Sequence, residues 1–451
     1  MKTFQDLQAL GDNGKERIDF CLALINEHRS TDEYKTAKAA EEYDARRNVT
    51  INEFREFLMD EFGKEIVDTS KLNFRMPSGF FPRFVTQLNQ YLLGNGVKMD
   101  KKEKAKLGAD FDIKLQEQGR TALVQGCCYG FWNKDHVELF PLTEFAALAD
   151  EETGAIKAGV RFWRIAEDRP LIFVLYEPDG YTKFKKGKEE VEVLEEKKAY
   201  LIDTKTMGDG TLEEMVGRNY PGFPIIPMYA NKHHQSELVG IQDAIDCYDL
   251  IKSGFASDVN DATMVYWIFK NTGGMEDKDI KEFMRRLKLL HGASVDGLSG
   301  AEAEPHTTEA PHEARTKYLQ QVKDDLYEDF QIVNIAHLTS GNKTASEINA
   351  AYTPMDLKAD QFEFRVLDFL MALFALTGVS ASPTFTRNKV VNIKEEVETI
   401  MTELPLIGEE MALKKLPNLT QEEVEEILRQ KAEDDLKRFS NAASTEPVDG
   451  E

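Results

Sequence analysis

The chain has 451 residues, 41% of them hydrophobic and 30% charged, with 80 acidic against 56 basic residues and a formal net charge of −24. No apolar run approaches the roughly 20 residues that a bilayer span needs, so no transmembrane helix is expected. The acidic balance argues against a protein that grips nucleic acid by neutralising phosphates, a mode that needs clustered Lys and Arg.

The length allows roughly two to four domains. The first residues, MKTFQDLQALGDNGKER, lack the apolar core of a secretory signal, and synthesis and retention in the cytosol are expected. Cys21, Cys127, Cys128 and Cys247 fit neither a disulfide framework nor a CxxC zinc site, and all four are expected to be buried thiols.

The first 130 residues read as mainly helical. Phe54, Phe57, Leu58 and Phe62 recur at helical spacing, and a second helix is predicted over Phe80 to Leu93, stopped by Gly94 and Gly96. From about 129 to 204 the runs VRFWRIAE, PLIFVLYE and EVEVLEE are short and rich in β-branched and aromatic residues. With turn signals such as Asp179-Gly180 between them, they predict an antiparallel meander. After the Pro221-Gly222-Phe223-Pro224 break, Leu238, Ile241, Ile245, Tyr248 and Ile251 mark one face of a helix from about Ser236 to Asn260.

A compact insert follows, with MVYWIF (264–269) as a strand and Lys278 to Leu290 as a short helix. A helix over His312 to Phe330 should bury Leu319, Val322, Leu326 and Phe330. Thr344 should cap a further helix reaching Thr377, kinked at Pro354. Beyond Lys394 the chain is strongly acidic but keeps apolar faces at Val397, Ile400, Leu404, Val424, Ile427 and Leu428. Helices are expected there to about Ser440, with an unordered end at 441–451. The fold class is α+β, mainly helical.

No GxxxxGK[ST], HExxH or GxSxG motif occurs. Glu302, Glu304, His306, Glu309, His312 and Glu313 offer metal-ligating atoms, but their spacing matches no metal motif and suits an acidic connector equally well. His233 and His234 read as polar loop residues, and Trp163 and Trp267 as core anchors. No catalytic residue, metal or cofactor is expected.

Four segments, in order, carry a resemblance. They are FVTQLNQYLLGNGVKMD (84–100), PGFPIIPMYANKHHQSELVGIQDAIDCYDLIKSGFASDVNDA (221–262), LTSGNKTASEINAAYTPMDLKADQFEFRVLDFL (338–370) and EEVETIMTELPLIGEEMALKKLPNLTQEEVEEI (395–427). Their Tyr-x-x-Gly turn, Ile-Asp-x-Tyr-Asp step, Ser-Gly loop with a Leu-Lys-Ala step, and Leu-Pro-linked helices resemble, in shared order, the phage portal protein family of long-tailed bacteriophages. Residues 1–75 match only loosely.

The resemblance implies a twelve-subunit ring, assembled in the host cytoplasm and resident in the virion. Double-stranded DNA would pass through it without sequence specificity. The implied partners are a terminase motor, scaffold and major capsid proteins and a head-completion or adaptor protein. Residues 1–230 would form the wing, 236–260 and 312–330 the stem, 262–310 the clip, 334–343 the tunnel loop, 344–377 a long wing helix and 395–440 the crown. Thr339, Ser340, Gly341, Asn342 and Lys343 would then reach the narrowest part of the channel; the plainer reading is a helix connector. Asp243, Asp246 and Asp249, three apart, would line the stem lumen as a carboxylate stripe or form the solvated face of an outer helix. The alternative function is an acidic virion scaffold or adaptor that never encloses DNA, and a metal-dependent nuclease using 302–313 is a more distant one.

Overall fold

The computed structural model describes residues 2–433 apart from 12, 55–56, 60–63, 68–73, 188–189, 207–211, 263–265, 271–277, 279–280, 282–284, 286–301, 307–311, 340–343, 390–399, 407, 417–423 and 425. The chain divides into two compact units. The first comprises Met1–Ile332 and Leu357–Arg387, the second Val333–Asp356 and Asn388–Glu451.

The first unit opens with helices α1 (Phe4–Ala9), α2 (Gly14–Ser30), α3 (Asp32–Asp44) and α4 (Val49–Glu53). Each begins where a short polar side chain can accept an orphan amide hydrogen. Thr3 and Asp6 form a reciprocal capping box, and Asn13, Thr31 and Asn48 cap the next three helices. Strands β1 (Phe57–Met59) and β2 (Glu65–Val67) follow as an antiparallel pair. The helical spacing of Phe54, Phe57, Leu58 and Phe62 therefore misleads, since the helix stops at Glu53 and 57–59 is extended. Short apolar runs satisfy either period.

Helix α5 (Phe80–Leu93) carries the predicted bounds and buries Phe81, Phe84, Val85, Leu88 and Leu92. Strand β3 (Val97–Lys98), α6 (Lys101–Ala105) and α7 (Phe111–Gln125) lead to Gly126, whose φ of 92° ends α7 in the left-handed region. A Cβ at Gly126 would lie 2.7 Å from the Gln235 carbonyl carbon, so glycine serves both the turn and a close backbone approach.

Two sheets follow. Strands β4 (Cys127–Asn133) and β5 (His136–Pro141) form a hairpin. Strands β6 (Phe145–Ala149), β7 (Ile156–Trp163), β8 (Leu171–Glu177), β9 (Gly180–Lys186) and β10 (Val191–Lys198) form a five-stranded sheet in strict sequence order, a meander over 145–198 where one over 129–204 was expected. One face of this meander packs on α2, joining Phe20, Leu24 and Ile25 to Val160, Phe162, Phe173 and Leu175. Strands β11 (Leu201–Thr206) and β12 (Leu212–Arg218) pair separately, and β13 (Ile225–Tyr229) returns to flank β4. Trp132 is buried and Trp163 half-buried, its ring under the Arg161 guanidinium.

Helix α8 (Gln242–Ala262) starts six residues later than expected. Gly240 at φ 94° turns the chain, and Ser236 Oγ both donates to the Val124 carbonyl (2.5 Å) and accepts from Leu238 N (3.1 Å). Strands β14 (Tyr266–Lys270) and β15 (Glu302–His306) form an antiparallel pair within the insert, while most of the helix expected over 278–290 lies outside the described residues. Helix α9 (His312–Asp329) packs along α8 and buries Val322 and Leu326, with Phe330 just beyond its end.

Helix α10 (Ile335–Thr339) occupies part of a segment expected to be loop. Helix α11 (Ala345–Thr377) contains Pro354 within its span. Thr344 and Glu347 close a capping box at its start, the Thr344 hydroxyl accepting from Glu347 N at 3.3 Å and the Glu347 carboxylate from Thr344 N at 2.9 Å. Strand β16 (Thr384–Phe385) then pairs with β3.

The second unit contains α12 (Glu409–Lys415) and helical residues at 400–406 and 426–433, with Ile400, Ala412 and Val424 buried. Among the described residues no helix is long and apolar enough to cross a membrane.

Candidate functional site

The region expected to carry function is the α8–α9 pair with the segments joined to it. An aromatic cluster fixes the pair to α5. Phe80 meets Tyr248 edge-on at 5.0 Å between centroids, and Phe84 contacts Tyr327 and Phe330, each at 5.0 Å. Arg83 donates to the Tyr327 hydroxyl at 3.2 Å.

The expected stripe of three solvated carboxylates on α8 does not form. Asp243 is exposed, Asp246 half-buried and Asp249 fully buried. Asp249 accepts from Ser78 N and Asn48 Nδ2, both at 2.9 Å. Asp246 accepts from Asn48 Nδ2 at 2.9 Å, from Thr50 Oγ1 at 2.7 Å and from the Tyr43 hydroxyl. Asn48 thus spends both amide hydrogens on the two carboxylates while its oxygen accepts from Ile51 N at the start of α4 (3.1 Å).

The physical reason is packing. Residues 43–50 and 76–78 lie over this side of α8, where Met76 N also donates to Ser253 Oγ at 3.0 Å. Removal from water raises the Asp249 carboxyl above its ordinary value, opposed by the Ser78 and Asn48 hydrogen bonds. A carboxylate held this way is a tie between elements, and of the three only Asp243 stays exposed. Sequence reasoning missed Asn48; its one visible signal was an Asn before Val-Thr-Ile, a capping position.

Of the loop residues, Thr339 ends α10, and Ser340, Gly341, Asn342 and Lys343 lie outside the described residues. The 302–313 cluster is divided: Glu302, Glu304 and His306 belong to β15, Glu309 lies outside the described residues, and His312 and Glu313 open α9. Among the described residues no group of three or more His, Cys, Asp or Glu could hold a metal ion. His233 is exposed, and His234, at φ 56°, stacks on Tyr229 with centroids 3.6 Å apart.

A cleft of about 250 Å³ borders this turn and includes Lys358 and Glu237. The Lys358 ammonium is bound to Glu237 at 2.6 Å and lies 3.7 Å from the Phe330 ring centroid, so its charge is already matched.

Residues 25–437 match the family model described as phage portal protein, SPP1 Gp6-like. The chain belongs to this family of portal proteins and is a structural subunit of a phage portal. It is 26% identical over 421 residues to the portal protein of Bacillus phage SPP1, covering 84% of this chain and 80% of that one. It is also 26% identical over 213 residues to the portal protein of Clostridium phage phiCD119, covering 45% and 47%. A solved structure, the neck of a native GTA particle computed with C12 symmetry, aligns at a TM-score of 0.43 and 11% identity over 76% of this chain and 90% of that chain.

Proposed function

We propose that the chain forms a twelve-subunit ring at one vertex of a phage capsid, through which double-stranded DNA is packed and later released. The match over residues 25–437 carries the reading. In this reading residues 1–230 are the wing, α8 and α9 the stem, 262–310 the clip, 334–343 the tunnel loop, α11 a long wing helix and 395–440 the crown. The clip would dock the terminase motor during packaging and a head-completion or adaptor protein afterwards, with scaffold and major capsid proteins around the ring. Assembly takes place in the host cytoplasm, and the finished ring stays in the virion.

The charge supports a channel that confines DNA without holding it. Each phosphate neutralised tightly releases counterions and adds a barrier to sliding, whereas a subunit of net charge −24 offers little to grip. Lys343 would touch phosphates transiently as a single point charge, and Asp243 would add weak repulsion at the wall. The motor supplies ATP hydrolysis, since the chain has no Gly-rich phosphate loop; the ring itself needs no cofactor and performs no catalysis.

Electron microscopy of the purified chain and of particles carrying it tests the reading. Rings with a hole wide enough for a duplex are expected; a solid assembly or an elongated adaptor would overturn it in favour of the scaffold reading. Lys343→Ala should leave rings intact and alter packaging, and a ring structure with residues 340–343 on the outer surface would end the loop assignment.

A further inference from the structure

Helix α11 has two apolar faces within residues 357–373, and the fold uses one. Ala359, Phe362, Val366, Phe369, Leu370 and Leu373 are each at most 2% exposed. Leu357, Phe364 and Met371 lie on the other side, at 59%, 62% and 50% exposure. Their seven-residue spacing rotates each only about 20° from the last, so they form one stripe along roughly 20 Å of helix. Among the described residues no other element exposes three large hydrophobic side chains.

The carboxylates beside the stripe each meet a guanidinium. Arg387 binds Asp360 and Glu363, each at 2.6 Å, and Arg365 binds Asp368 at 2.9 Å. Two guanidiniums against three carboxylates leave this apolar strip close to neutral on a molecule of net charge −24.

We infer that the Leu357–Phe364–Met371 face of α11 is a contact between neighbouring copies of this chain, an inference that rests on the ring reading above. Copies of like net charge repel at long range, which favours association through strips where charge is paired and dehydration of apolar surface drives the contact. A ring closed by rotation makes such a contact heterologous, this face of one copy meeting a different face of the next. A seven-residue apolar repeat suits a partner element laid along the helix, and Phe364, central and aromatic, is the residue expected to dominate the contact.

The test compares Phe364→Glu with Ile165→Glu, the latter altering an 84%-exposed side chain between β7 and β8. Both should keep the wild-type circular dichroism and thermal midpoint. Sedimentation velocity should show the association constant of Phe364→Glu lowered at least about thirtyfold, the loss typical of a dominant interface aromatic, with Ile165→Glu unchanged. Rings formed equally by both variants would overturn the inference and leave the ring reading standing. A wild-type chain that stays monomeric at every concentration and in particles would overturn both. A photoreactive phenylalanine analogue at position 364 gives a second readout that does not depend on destabilising the fold. Adducts at multiples of the chain mass, mapped to a second copy, are expected; no adduct, or adducts only with a different protein, would overturn the proposal.

Discussion

Burial of single side chains decides the chemistry this chain shows in solution. Burial pushes the Cys21 thiol up to about 12 and raises Cys127 and Cys128 well above the ordinary range. Cys247 is half-buried, its sulfur 3.7 Å from the Tyr318 hydroxyl, which corrects the expectation of four buried thiols. One fast-reacting thiol is therefore expected with a disulfide reagent in the native protein, and four in denaturant.

His28 and Asp249 set opposite pH dependences. Burial lowers the His28 pKa while its neutral ring donates from Nε2 to the Leu142 carbonyl at 2.8 Å. The unfolded chain then binds a proton that the folded chain refuses, and stability falls as pH drops below about 6.5. The thermal midpoint should drop more between roughly pH 7 and 5.5 in the wild type than in His28→Gln, since only the wild type carries this proton-linked loss.

Asp249 works the other way. Its raised pKa means that the folded chain binds the extra proton, so this group adds stability as pH falls from neutral toward its ordinary 3.8. Asp249→Ala leaves the Ser78 amide and one Asn48 hydrogen without their acceptor and should cost about 2 kcal/mol in urea unfolding. The helical period revealed that the three α8 aspartates share a sector, but what covers that sector comes from residues some 200 positions earlier, beyond any local reading.

At the scale of elements, the legible features were those with strong local chemistry. Helix α5 is bounded by glycines, the meander is punctuated by turns, and α11 opens on Thr344 with Glu347 three residues on. Thr344→Ala should lower stability by about 1 kcal/mol, read as earlier hydrogen exchange in the first turn of α11. Where the local signal was ambiguous the fold chose otherwise, as at 57–59, where a short apolar run became strand. At 236–241 a serine bound to the α7 backbone and a left-handed glycine delayed α8. Gly126→Ala would meet Gln235 and strain φ, so a larger loss than at Thr344 is expected.

For the molecule as a whole, family and overall order were readable because they depend on the succession of motifs, and these survive from residue 84 to 427. The lumen face was not readable, because a helix pattern tells inside from outside for one chain and not for a ring. A subunit of net charge −24 should assemble more readily as salt rises. Screening shortens the repulsion from a Debye length of about 30 Å at 0.01 M to about 10 Å at 0.1 M. Sedimentation across that range should show the oligomer fraction increasing with salt, and a decrease would indicate association through opposite charges.

The pairing of β16 with β3 bears on how the subunit is made. The meander joins each strand to its sequence neighbour, so its loops close cheaply and early, whereas the Thr384–Lys98 bond spans 286 residues and waits until α11 has left the ribosome. Contact order thus separates a fast nucleus from a late closure. Pulse-labelled refolding should protect the amides of β7 and β8 before those of β3, and the late step should mark when a subunit becomes fit to join its neighbours.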